Sequence, residues 1–336
     1  MLRRLSATRP KICSLICALH PAYLHEQWTL SNAWLERQKD GDKDVGWRYD
    51  LRMTIHVLEK GLAHKHPKSI FGLRHIARAV ELTARLERIA DECKESVGDK
   101  GLRIWAHEVL SEYFRVIGRN EEVKTVRCAF EKLKPVNNGG IARTPYFRKI
   151  SSANESDYEA FMKLAQKRVS TRWFLPKTVP REMIDKAIAV AALSPSGCCQ
   201  QAFEFRIFDD STLIKQLQTG INGFTGFSES VTCLAVVIGD FRSAMGRVLT
   251  HHDIYIDASL ATMSFQYGLE AQGLGSCCLH WPLSAEKDAL FAKIIGIKSY
   301  ERPIMCLAIG FPDPEGKVAF SQKKCVEELR AYNKVN

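Results

Sequence analysis

The segment Lys167-Arg168-Val169-Ser170-Thr171-Arg172-Trp173-Phe174 carries side chains well suited to holding an anion. In an extended stretch, residues two apart face the same side. Arg168, Ser170 and Arg172 then aim two guanidinium groups and a hydroxyl at one point. That set suits a phosphate, which takes bidentate arginine contacts and short hydroxyl bonds. The plainer alternative is a solvated basic turn. A second stretch, Ser194-Pro195-Ser196-Gly197-Cys198-Cys199-Gln200-Gln201-Ala202-Phe203, is a small-residue loop leading from a helix into a strand. Such loops let a flat ligand approach the backbone closely. It has equally the form of an ordinary helix-to-strand connection.

Other chemistry-bearing patterns are missing. The chain has no phosphate-binding G-x-x-x-x-G-K-[ST], no G-x-G-x-x-G after a strand, no H-E-x-x-H and no G-x-S-x-G. His251-His252-Asp253 opens a helix, but adjacent histidines are expected to point to different faces, which favours a surface cap over a metal cluster. The eleven cysteines are odd in number, lack C-x-x-C, and include the adjacent pairs Cys198-Cys199 and Cys277-Cys278. Neither a disulfide framework nor a tetrahedral zinc site fits, so free thiols in a reducing cytosol are expected.

The elements that must position these residues differ between the two halves. In the first half, Leu51, Ile55, Leu58 and Leu62 make one helical face within 50–62, and Ile76, Val80, Leu82 and Leu86 make another within 73–92. Further helices are expected over 31–37, 102–117 (with Gly118 as the cap) and 121–133. Asn137-Asn138-Gly139-Gly140 is the clearest break. The expected organisation is a helical domain over 1–136, a linker over 137–155 and a second domain over 156–336. There the sequence predicts helices over 157–167, 180–193 and 252–272, alternating with strands over 202–208, 233–238, 276–281 and 304–311. The fold class is α+β, a sheet flanked by helices and preceded by an all-helical N-terminal domain.

Composition narrows the classes further. With 336 residues, 46% hydrophobic and 26% charged, the chain is ordinary globular protein, which excludes disorder, collagen and coiled coil as whole-chain readings. No apolar run approaches the ~18 residues that span a bilayer. The net charge of +10 lies entirely in residues 1–150, which hold 28 Lys+Arg against 18 Asp+Glu; the remainder balances at 20 each. No nucleic-acid motif accompanies that surplus, so neither nucleic acid nor membrane is an expected partner. No acid precedes Glu26. A frayed or helical start and a transit-type leader are both open on that composition.

Taken together, the two chemical segments and the later part of the chain resemble the nitroreductase family of flavoproteins. Arg168, Ser170, Arg172 and Phe174 are similar to the family's opening motif. Ala191, Ser194, Pro195, Ser196, Gln201 and Phe203 are similar to its Ala-x-x-Ala-Pro-Ser loop and the strand behind it. Asp257-Ala258-Ser259 through Leu274-Gly275 resembles the family's central helix and turn, and Ile309-Gly310-Phe311-Pro312 its late strand end. The resemblance covers about 157–331.

The resemblance implies bound FMN, reduced by NADH or NADPH, delivering electrons to an unidentified oxidised acceptor of nitro or quinone type. It implies a cytoplasmic homodimer with the flavin at the subunit interface. Arg168, Ser170 and Arg172 would hold the phosphate and ribityl chain. Pro195, Ser196 and Gly197 would lie along the ring edge, and Gln201 would sit near the ring or support the loop. Asn222 would contact the ring, Cys278 and Leu279 would back it, and Lys323 or Lys324 would complete the phosphate site. No catalytic residue is implied. Two positions depart from the pattern: Cys199 stands where the family usually has Asn, and Ala202 follows Gln201 in place of Pro. The segment His56-Val57-Leu58-Glu59-Lys60-Gly61-Leu62, with Ile70-Phe71-Gly72, resembles an extension on some nitroreductase-like proteins encoded with polysaccharide-biosynthesis genes. That resemblance keeps open a non-catalytic flavin-binding scaffold in such an assembly; a flavin-consuming or dehalogenating enzyme is the other alternative.

Overall fold

In the computed structural model, which describes residues 19–38, 46–66, 68–92, 95–136, 139–140, 142–149, 152, 154–244 and 251–334, the first half is helical. Its helices are α1 (Pro21–Gln38), α2 (Gly46–Leu62), α3 (Leu73–Glu92), α4 (Val97–Ile117) and α5 (Lys124–Phe130), the last entered through a 3-10 turn at Glu121–Val123. Among the described residues before position 140 there is no strand. The leading eighteen residues, with any leader they contain, and Asn137-Asn138 of the break lie outside the described residues.

The apolar stripes of α2 and α3 meet those of α4. Leu51, Ile55, Leu58, Ile76, Leu82, Leu86, Leu110 and Tyr113 are fully enclosed in one core. Ser96 caps α4 by accepting the Asp99 N–H, and Gly118 closes it with a positive φ. α1 packs elsewhere. Its Ala33 and Leu30 join Phe241, Ile254 and Ala202 in a separate cluster against the second half of the chain.

The second half holds α6 (Glu155–Lys167), α7 (Arg181–Ala191), β1 (Phe203–Phe208), α8 (Ser211–Gln218), β2 (Cys233–Asp240), α9 (Asp253–Glu270), β3 (Gly275–His280), α10 (Ala285–Ile295), β4 (Glu301–Gly310) and a single turn, α11 (Val326–Leu329). All strand pairings are antiparallel, in the order β1-β2-β4-β3. β2 is buried along its whole length because both faces of the sheet are covered. Alternation sorts its side chains: Leu234, Val236 and Ile238 pack with α8 and α10, whereas Cys233, Ala235 and Val237 pack with α7 and α9. The register of β2 with β4 slips after Val237, where Ile238 pairs with Pro303, a residue with no N–H to give to a ladder.

α7 and α9 cross closely because Gly268 faces Ala187. A Cβ at Gly268 would lie 2.8 Å from the Ala187 Cα and 3.3 Å from its carbonyl oxygen. Backbone cannot yield as a flexible side chain does, so Gly268→Ala is expected to cost about 1–3 kcal/mol. The urea midpoint of the variant measures this; an unchanged midpoint would show that the two helices can part freely.

Candidate functional site

Residues 168–175 run as a strap across the free edge of β3 and the end of β4. The Thr171 N–H donates to the Ser276 carbonyl at 3.0 Å, and the Leu175 N–H to the Phe311 carbonyl at 2.8 Å. Ser170 bridges to Ser276 and Phe174 to Pro312. The strap's inward residues, Thr171 and Phe174, are buried over two glycines. A Cβ at Gly275 or at Gly310 would come within 2.8 Å of Thr171 or Phe174, so the strap needs glycine beneath it twice.

With those two inside, Ser170 and Arg172 face outward and Arg168 is half-buried. Arg168 and Arg172 both act electrostatically on the Cys277 thiol: burial pushes it up, and the two guanidinium groups pull it partly back. Among the described residues neither arginine forms a salt bridge. Glu270 of α9 is raised by burial and lies 3.6 Å from the Lys167 ammonium, with Arg168 also stabilising its charged form. Two cations, Lys167 and Arg168, thus face this one carboxylate, and with Arg172 the strap keeps an excess of positive charge at the β3 edge.

The loop between α7 and β1 is anchored on the same helix, α9. The Ser194 hydroxyl donates to the Ser264 Oγ at 2.7 Å, and the Gly197 N–H to both oxygens of the Asp257 carboxylate at 3.0 Å. Burial raises Asp257 and nearby Asp253 raises it further, while the Gly197 N–H opposes both. Cys198, Cys199 and Gln201 have φ of 50°, 57° and 49°, a left-handed conformation that side chains with a Cβ adopt at a cost. The Gln201 N–H donates to the Ser196 Oγ, and its side-chain amide donates to the Ala192 carbonyl at 2.8 Å.

The profile of the Nitroreductase family matches residues 165–223 and 240–311, which takes in the strap, the loop, α9 and both strands that the strap crosses. The C-terminal part of the chain is thus similar to the nitroreductase family. Among solved structures the nitroreductase part is similar to an FMN-dependent nitroreductase from Clostridium difficile R20291, at 23% identity over 52% of this chain and 99% of that one, with a TM-score of 0.44. It is also similar to a nitroreductase family protein from Clostridium difficile 630, at 19% identity over 52% and 99% of the two chains, with a TM-score of 0.44. A third, from Desulfovibrio desulfuricans, described as a candidate nitroreductase in complex with FMN, shares 16% identity over 52% and 97%, with a TM-score of 0.44. No curated protein matches the chain.

Within the second half the residues singled out by sequence fall into separate groups. Arg168, Ser170 and Arg172 come together beside Cys277, and Arg168 also acts on Cys278. Cys278 and Leu279 point to opposite faces of β3: Cys278 is exposed, and Leu279 is buried in the core beneath α8 and α10. Pro195, Ser196, Gly197, Cys199 and Gln201 form the anchored loop, in which the Gly197 amide and the Gln201 side chain are committed to protein partners. Asn222 is exposed and accepts from the Lys287 ammonium at 2.6 Å. Lys323 and Lys324 lie in a C-terminal stretch whose described residues from 321 to 334 are all exposed. The His251 and His252 rings lie 3.8 Å apart centre to centre, tilted by 42°, rather than facing apart, and among the described residues no group of three or more metal-ligating side chains exists. The described cysteines are free thiols.

Sequence reasoning missed Arg52 of α2. Its guanidinium donates to the Cys199 carbonyl at 2.8 Å and to the Gln201 Oε1 at 3.0 Å, reaching the loop from the helical half. Gln200 is held from both halves, donating to the Tyr49 carbonyl of α2 and to the Ser243 carbonyl just after β2. Nothing local in the sequence marks a contact that spans about 150 residues.

Proposed function

We propose that this protein is an FMN-dependent oxidoreductase that takes a hydride from NADH or NADPH and passes electrons to a small oxidised acceptor of nitro or quinone type. The observation that carries the reading is the strap: two guanidinium groups without salt-bridge partners among the described residues and a hydroxyl, on a sheet edge, inside the family-matched region. That donor set fits the terminal phosphate of FMN. Bound FMN would supply the hydride acceptance and electron delivery, which are the cofactor's own chemistry.

The chain's contribution is binding and orientation. Arg168, Ser170 and Arg172 hold the phosphate. The 195–199 loop, fixed to α9 through Ser194 and Gly197, offers backbone to a flat ring. Hydride transfer needs no acid–base pair, and no side chain is assigned a proton-transfer role. Residues 156–336 are the flavin-binding unit in this reading, with 1–136 as a helical unit and 137–155 joining them.

A homodimer fits the same arrangement. Leu193, Ile256 and Leu260 are exposed near the loop, and the C-terminal stretch exposes Phe320, Leu329 and Tyr332 beside Lys323 and Lys324. Apolar surface of that kind calls for a covering partner. A second copy would cover it and bring those lysines to a phosphate site. Among the described residues no helix is long and apolar enough to cross a membrane. A cytoplasmic location accords with the free thiols.

The purified protein is expected to be yellow, to release FMN at about one per subunit, and to bleach when NADPH is added anaerobically. A colourless protein that refuses added FMN overturns the proposal. A yellow protein that neither nicotinamide reduces is a flavin carrier and not an oxidoreductase. Cys199→Asn is a further check. Asn tolerates the left-handed region better than Cys and restores a side-chain donor. It is expected to keep or tighten FMN binding, shift the flavin potential, and leave NADPH oxidation with a quinone within about tenfold, under ~1.4 kcal/mol of barrier. Complete loss of turnover with flavin bound would instead make the thiol a participant.

A further inference from the structure

We propose that Arg52, on the helical half of the chain, is the positioning residue that fixes the flavin-facing loop, so that the N-terminal layer is a working part of the cofactor site and not an appended cap. The inference rests on the FMN reading for what the loop faces; the clamp itself stands on geometry alone.

Three residues of the loop, Cys198, Cys199 and Gln201, sit in the left-handed region without being glycine. Such a conformation persists only where the surroundings over-determine it. From below, Asp257 holds the Gly197 N–H. From above, the planar fork of Arg52 spans the left-handed pair, taking the Cys199 carbonyl with Nε and the Gln201 side-chain oxygen with Nη2. A guanidinium can make both bonds at once from a fixed plane, which an ammonium cannot.

Arg52 is itself held by a relay through α2 and α4. Its guanidinium lies 5.7 Å from the ring centre of Trp105. The Trp105 indole N–H donates to one oxygen of Glu59 at 3.2 Å, and the other Glu59 oxygen meets His56 Nδ1 at 3.2 Å. The His56-Val57-Leu58-Glu59 segment thereby sets the tryptophan against which the arginine lies. Leu58 anchors that turn in the helical core, and Gly61 leaves room for Phe71, whose ring a Cβ would meet at 2.2 Å. A cavity of about 410 Å³, lined by Arg48, Tyr49, Arg52, Asp99, Gln200 and Gln201, opens beside the clamp, and Tyr49 adds a second polar tie by donating to Asp240.

The test uses the full chain, first without flavin. Hydrogen exchange of the amides over 197–202 is compared in wild type, Arg52→Ala and Arg52→Lys. The alanine variant is expected to exchange at least about tenfold faster in the loop while β2 stays protected, with lysine intermediate. FMN titration of the same proteins is expected to show about tenfold weaker binding for alanine. Adding Cys199→Gly to Arg52→Ala should recover most of that affinity, because glycine enters the left-handed region freely; a merely structural defect in α2 would not respond to that change. Unaltered loop exchange in a folded Arg52→Ala protein overturns the proposal. Should that variant fail to fold, Arg52→Lys decides alone, and wild-type exchange in its loop is the overturning result. Failure of the wild-type chain to bind FMN would sink the function proposed above, and the exchange comparison would still decide the clamp.

Discussion

Arg168→Ala is expected to weaken FMN binding by one to two decades and to leave riboflavin binding within about threefold. The half-buried guanidinium stands over Cys277 with no salt bridge of its own among the described residues, so its charge is available to a ligand. A charge-assisted hydrogen bond contributes roughly 1.5–3 kcal/mol, and each ~1.4 kcal/mol is tenfold in affinity. Riboflavin has the ring and the ribityl chain but lacks the phosphate, so it isolates the contact in question. Arg168→Lys should recover only part of the loss, since a point charge does not reproduce the fork. Titration of the flavin-free protein with the two ligands measures both values. Equal weakening for both would make Arg168 a structural residue of the strap.

The second large effect lies at Asp288 of α10. Its carboxylate accepts from the Trp281 indole at 2.8 Å, from Arg302 of β4 at 2.5 Å, and meets His25 of α1 at 2.7 Å. Arg302 is only 3% exposed. Asp288→Ala therefore strands a buried guanidinium and an indole N–H at once, a change expected to cost about 3–5 kcal/mol. Asp288→Asn keeps one acceptor and should cost less. Urea unfolding at constant slope reads the difference, and release of α1 should appear as faster proteolysis near its helix. A loss below about 1 kcal/mol would show that water replaces the carboxylate.

The strap was legible because its logic is local: an extended segment alternates its faces, so Thr171 turns inward while Ser170 and Arg172 turn out, and the buried Phe174 departs from that alternation. The helical stripes at 51–62 and 73–86 were legible for the same reason, at a different period. α8 and α10 escaped notice, although each carries a sound cap in Asp210 and Ser284, because they are short and bury only two side chains each. Only the end of α1 was foreseen. Its inner face is built from Ala33, Thr29 and His25, while Trp28, Trp34 and Leu35 are exposed, so its amphipathic signal is inverted. The ties of α1 and α2 to the second half, through Tyr49 to Asp240, Glu26 to Tyr255 and Arg52 to the loop, are polar contacts across long separations that no periodicity encodes.

The strap's two glycine seats also bear on when, during synthesis, the protein can become active. Ser170 finds its partner at Ser276 and Phe174 at Pro312, each more than a hundred residues later in the chain. Closing loops of that length comes late relative to local helix formation. A nascent chain will have finished its helical half, and even α7, well before β3 and β4 leave the ribosome to seat the strap. Until then Arg168 and Arg172 are ordinary basic side chains with no shared focus. Emergence of β4 and Pro312 from the ribosome is thus the earliest moment at which this basic edge can assemble.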